Sequence, residues 1–232
     1  MRTIISLNEN WLFAKDTADI TVRNAETVNL PHTWNATDGQ DGGNDYFRGS
    51  CLYVKTLNRA ELPTADLYYL ELRGANSSAD VFVNGKALAH HDGGYSTWRV
   101  DITEHLTDNT EIAVVVDNAP NDTVYPQMAD FTFYGGLYRG VNIVAVNRAH
   151  FDLDYYGGNG LKITPTVEGK DANVTVEVFT TDLAEGQKLV YTLYDREGNE
   201  LQKIETNEHT VTFHIENVHL WHGRRDPYLY SC

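Results

Sequence analysis

Three groups of side chains in this sequence have the types and spacing to do chemistry. Asp38, Asp41 and Asp45 lie among Gly39, Gly42, Gly43 and Asn44. Clustered carboxylates suit general acid–base work, one protonated and one ionised. That work needs partners held rigidly and shielded from water. A glycine-rich run supplies neither, so the segment reads as a solvated, flexible loop and not as a self-sufficient catalytic pair. His90, His91 and Asp92 form a second group, since imidazole and carboxylate are both metal ligands. Neighbours along a strand point to opposite faces, so the expectation is a strand end entering the Asp92-Gly93-Gly94 turn, with no metal site. Trp34, Trp98 and Trp221 could stack on a ligand ring, but a packed core also needs large aromatics, and core packing is the expectation for each.

The elements that must position these groups are strands. Leu67–Leu72, Ala79–Asn84, Glu111–Val116 and Val141–Val146 alternate apolar and polar residues with β-branched and aromatic enrichment, which is the strand signature. Asn84-Gly85 after Val81-Phe82-Val83 predicts a two-residue hairpin, because a type I′ turn needs positive φ at both central residues. Asp101–Leu106 predicts a single turn in which Asp101 or Thr103 accepts from free backbone amides. A helical stripe of about ten residues or more is not found.

Many short strands over residues 1–148 predict a two-sheet, jelly-roll-like sandwich. The loop-like stretch 152–160 interrupts the pattern. Beyond it Ala172–Phe179, Lys188–Tyr194, Glu200–Ile204 and His209–Ile215 alternate again, with a turn over Asp195–Asn199. Residues 149–232 therefore predict an immunoglobulin-like sandwich lacking the antibody cysteine pair. The fold class is all-β, in two domains. The second shows about six of the roughly seven strands wanted, a last one only starting at Tyr228-Leu229-Tyr230, so an edge should be left unpaired.

Composition excludes several classes. A formal net charge of −15 argues against nucleic acid, whose phosphates require clustered Lys and Arg; a neutral polyhydroxylated ligand stays compatible. No apolar run approaches the roughly 20 residues that span a bilayer, so no membrane partner is expected. The N-terminus lacks a leader-like apolar stretch and there are only two cysteines, which favours a cytoplasmic location. The Asn-x-Ser/Thr triplets at Asn35, Asn76, Asn121 and Asn173 are expected by chance in so Asn- and Thr-rich a chain.

Seven segments then fall into a familiar order: Leu7–Phe13; Leu30-Pro31-His32-Thr33-Trp34-Asn35; Tyr46–Tyr53, with Leu52 where Trp is usual; Gly74–Gly85; His91–Ser96 with Asp101-Ile102-Thr103; Val116-Asp117-Asn118; and Gly135-Gly136-Leu137-Tyr138-Arg139-Gly140-Val141. Leu220-Trp221 and Asp226–Tyr230 extend the series into the second domain. Together they resemble the N-terminal part of family 2 glycoside hydrolases, the β-galactosidases and β-glucuronidases.

The resemblance implies a galactose-binding-like domain, an immunoglobulin-like domain and a TIM barrel, the last carrying two glutamates as acid/base and nucleophile. Retaining hydrolysis places two such carboxyls about 5 Å apart. The barrel is not expected within this chain, which by itself should be inactive. The implied function is the non-catalytic region of a β-glycosidase, most plausibly acting on β-galactosides, with the C-terminal barrel as partner, no cofactor, and homo-oligomerisation compatible.

Asp130 occupies the place where the family carries an aspartate that accepts from sugar hydroxyls, a task suited to a charged acceptor; turn capping is its other reading. Asn44 or Asp45 would reach the barrel's active site. Arg139 should pair a carboxylate or loop carbonyls, and Phe133 and Tyr134 should pack in preference to holding a sugar. A stand-alone carbohydrate-binding module is the main alternative function. An adhesion protein built from immunoglobulin-like sandwiches is a more distant one.

Overall fold

The computed structural model describes residues 2–38, 46–124 and 132–232. The chain divides into two compact units, Met1–Arg148 and Ala149–Cys232.

The first unit is a β-sandwich. Its strands are β1 (Arg2–Ser6), β2 (Trp11–Ala14), β3 (Glu26–Val28), β4 (Ser50–Asn58), β5 (Leu67–Leu72), β6 (Ser78–Val83), β7 (Lys86–Asp92), β8 (Trp98–Asp101), β9 (Asn109–Asp117) and β10 (Val141–Val146). They pair antiparallel into a four-stranded sheet, β1-β10-β5-β8, and a six-stranded sheet, β3-β2-β4-β9-β6-β7. Alternation turns Leu70, Leu72, Ile143 and Ala145 of one sheet toward Cys51, Tyr53, Val114 and Val116 of the other, and this is the main core. The central strands β4 and β9 are apolar on their second face too, where Leu52, Val54, Ala113 and Val115 pack against Ile20, Val22 and Phe82. Burial on both faces is why these strands read as near-continuous hydrophobic runs.

The local expectations hold at the turns. Asn84 and Gly85 have φ of 50° and 79° and join β6 to β7. The Asn84 side chain donates to His105 O and accepts from Glu111 N, tying the hairpin to its neighbours. A 3-10 turn covers Thr103–His105, and Asp101 Oδ1 accepts from Thr103 N at 2.9 Å. The segment Leu7–Phe13 is not one strand: Asn10, at φ 56°, separates β1 from β2.

The second unit contains β11 (His150–Phe151), β12 (Leu161–Glu168), β13 (Asp171–Val178), β14 (Thr180–Thr181), β15 (Leu189–Tyr194), β16 (Glu200–Thr206) and β17 (Thr210–Ile215). The sheets are β12-β13-β17, β15-β16 and the short β11-β14 pair. Val174, Val176, Phe213 and Ile215 face Leu189, Tyr191 and Leu193 to form an immunoglobulin-like core. β12 is exposed along its whole length. Pro165 sits within it, as suits an edge strand where a missing N–H costs no ladder bond. Trp221 departs from the expectation of core packing: it is 63% exposed.

Candidate functional site

Asn44, Asp45 and Asp130, the residues singled out from the sequence, lie outside the described residues. The structure instead defines the backbone from which their segments depart and to which they return. At the centre are Asn35 and Asn118, both fully buried. Asn35 Oδ1 accepts from Gly135 N at 2.8 Å and from Asn118 Nδ2 at 3.2 Å. Its Nδ2 donates to Phe47 O at 2.9 Å and to Asp38 Oδ2 at 3.1 Å. Asp38 Oδ2 also accepts from Phe47 N, closing the base of the stretch that holds Asn44 and Asp45. Asn118 Oδ1 accepts from Gly49 N, and its Nδ2 reaches Phe133 O at 3.3 Å, close to where the stretch holding Asp130 ends.

A buried amide left unpaired costs about 1–3 kcal/mol. A fully bonded pair such as this one rigidifies the segments it joins. The adjacent glycines follow from the same packing. A Cβ at Gly135 would overlap the Trp34 indole, and one at Gly136, which sits at φ 121°, would overlap the backbone of His32. The Gly135-Gly136 pair is therefore a demand of close approach. Beside it, His32 Nδ1 and the Tyr53 hydroxyl are 2.8 Å apart. Burial lowers the pKa of His32, offset in part by Glu26, and raises that of Tyr53.

The His90 group is an exposed polar cluster. His90 Nδ1 lies 2.7 Å from Asp80 Oδ1, and its Nε2 lies 3.2 Å from Asp92 Oδ1. Asp92 also accepts from the Ser78 and Thr123 hydroxyls, and these bonds hold its carboxyl down at about 2. The hydrogen bond to Asp80 raises the pKa of His90. His91 turns the other way and stacks on Trp98 with 4.8 Å between ring centroids, the separation of imidazoles that strand geometry predicts. No group of three or more His, Cys, Asp or Glu able to hold a metal ion occurs among the described residues.

Arg139 binds loop carbonyls, donating to Tyr95 O at 2.8 Å. Phe133 packs, at 6% exposure, but Tyr134 is 41% exposed and departs from the packing role expected of it. Sequence reasoning missed the Asn35–Asn118 pair. Its only signal was the presence of both asparagines in the segments that carry the family resemblance; the fully buried Asn35 amide has no room for a glycan, in line with reading its Asn-x-Thr triplet as chance.

The described residues thus form a jelly-roll-like sandwich, in which a buried polar pair binds Asp38, Phe47, Gly49, Phe133 and Gly135, and an immunoglobulin-like sandwich. The family profile "Glycosyl hydrolase 2 galactose-binding domain-like" matches residues 46–137, and "Glycosyl hydrolases family 2" matches residues 159–232. The chain belongs to glycoside hydrolase family 2. It is 33% identical, over 99% of its length, to a putative β-glucuronidase of Formosa agariphila, of which it covers 29%. It is 27% identical over 99% of its length to a β-galactosidase of Thermoanaerobacter pseudethanolicus, of which it covers 32%. Among solved structures, an FMN-binding β-glucuronidase from Facaelibacterium prausnitzii superimposes with a TM-score of 0.89 at 40% identity, over 99% of this chain and 36% of that one. The chain thus spans about a third of the length of these relatives.

Proposed function

We propose that these residues scaffold the catalytic barrel of a retaining β-glycosidase and lend it Asp130, with Asn44 or Asp45, as hydrogen-bonding contacts to the terminal sugar. The carrying observation is 33% identity across 99% of the chain to a protein named as a putative β-glucuronidase, with the match covering only 29% of that protein's length. The bonds that Asn35 and Asn118 make to Asp38, Phe47, Phe133 and Gly135, which flank those residues in sequence, support the same reading, because a subsite contact has to be held in place before substrate arrives.

For the sugar, β-galactosides are the class expected from the sequence; the names of the relatives at 33% and 40% identity favour β-glucuronides. The test is a panel of 4-nitrophenyl glycosides offered to the full-length protein and to the 232-residue chain. The reading expects turnover of a β-glucuronide or β-galactoside by the full-length protein and none by the shorter chain. Turnover by the chain alone, or failure of the full-length protein on every β-glycoside, overturns it.

A further inference from the structure

We propose that His32, while neutral, is a positioning residue: it closes a cycle of hydrogen bonds that holds the Gly135–Leu137 segment in place, and a proton on its ring opens that cycle. Three bonds make the cycle. His32 N donates to Leu137 O at 2.9 Å. His32 Nδ1 and the Tyr53 hydroxyl lie 2.8 Å apart. The Leu137 backbone also bonds the Tyr53 phenol, in the sense that favours the phenolate. Only a donor does that, so the Leu137 N–H donates to Tyr53 Oη.

These contacts fix the protons. Tyr53 is fully buried, and a buried hydroxyl has to find an acceptor. Its proton therefore goes to His32 Nδ1, and the ring carries its own proton on Nε2. An imidazolium has N–H on both nitrogens and accepts from nothing. Tyr53 Oη would then meet two donors while its own proton lost its acceptor.

The surroundings oppose that charge. The Phe13 and Tyr53 rings pack on the imidazole with 4.7 and 5.7 Å between centroids. Among the described residues, Glu26 on β3 is the charged group whose field reaches His32, and Cys51 on β4 is the titratable group beside Tyr53. Burial outweighs Glu26 and lowers the His32 pKa. The segment held by the cycle has no slack. A Cβ at Gly136 would overlap His32 O and the Tyr53 hydroxyl, and one at Gly135 would overlap Trp34. Loss of the anchor at Leu137 therefore passes directly to both glycines.

Imidazole ¹⁵N spectra of the 232-residue chain at neutral pH read the tautomer: a protonated Nε2 and a bare Nδ1 are expected, and a protonated Nδ1 overturns the proposal. From about pH 8 to about pH 4, across the imidazole range, the Gly136 and Leu137 amides should shift with the His32 midpoint. Amides that stay still while the ring titrates overturn it as well. Tyr53→Phe removes the hydrogen bond to the neutral ring and should raise that midpoint; a folded variant with an unchanged midpoint contradicts the cycle, and the first two measurements need no variant. One consequence rests on the glycosidase reading, since Gly135 follows Asp130 closely in sequence. KM of the full-length protein should rise about three- to tenfold as pH falls through the His32 midpoint, the scale of one hydrogen bond. A flat KM in an active enzyme overturns the positioning role. Absence of turnover on every β-glycoside would sink the glycosidase reading and leave the cycle standing on the ring and amide shifts.

Discussion

The two units bury their interiors differently. Among the described residues, the buried polar and charged side chains are Asn35, Glu71, Asn76, Ser77, Ser78, Thr110 and Asn118, all in the first unit; the second unit contributes apolar ones only. Polar burial costs free energy unless every group is bonded. In the first unit those bonds run between segments distant in sequence: 83 residues separate Asn35 from Asn118, and 100 separate it from Gly135. The second unit is held by simple alternation, in which β13 buries every second residue. The difference teaches that the first unit ties distant segments together through buried polar bonds, while the second rests on alternation of apolar residues.

The largest expected effect is that of breaking the polar pair. Asn118→Leu leaves Gly49 N and the Asn35 amide short of partners inside the core, which should cost about 3 kcal/mol or more. An apolar trim in the second unit, Ile215→Val, should cost about 1 kcal/mol. Urea unfolding of each variant measures both, and equal losses would break the comparison.

The pH response should be of intermediate size. His32 has a lowered pKa in the folded chain, so the unfolded chain binds the proton more readily. Its contribution therefore weakens as pH falls through the unfolded value of about 6.5. His90, with a raised pKa, stabilises below that value, and its contribution is lost as pH rises through the folded pKa. Asp92 contributes above its ordinary value of 3.8, and that contribution is lost as pH falls through about 2. NMR titration should place His32 below the free imidazole value and His90 above it; the reverse order would contradict the burial argument.

The smallest effect belongs to the exposed pair of Lys188, just before β15, and Glu205 on β16, at 2.9 Å. Solvent screens both groups, so Lys188→Ala should leave the unfolding midpoint of the second unit unchanged within error.

Much of this fold was legible because strand signals are local. The four alternating runs of the first unit and four of the second became strands, and Asn84-Gly85 made its turn. What was hidden depends on contacts far along the chain. Nothing near Asn35 or Asn118 announces that they meet, and an isolated Asn reads equally as a turn residue. Pro165 obscured β12, since proline argues against a strand until that strand is seen to lie at an edge. Trp221 looked like a core residue by type alone. For the candidate site, Asp130, Asn44 and Asp45 were accessible only through the family resemblance, because a carboxylate among glycines carries no local mark of its role.

The central proposal is that Asp130 accepts hydrogen bonds from the terminal sugar of a β-glycoside. Its most direct test is kcat/KM of the full-length protein and its Asp130→Asn variant on the preferred 4-nitrophenyl β-glycoside. Loss of a charged acceptor should reduce kcat/KM about 10- to 100-fold with the unfolding temperature unchanged. An unaltered kcat/KM in a folded variant would contradict it.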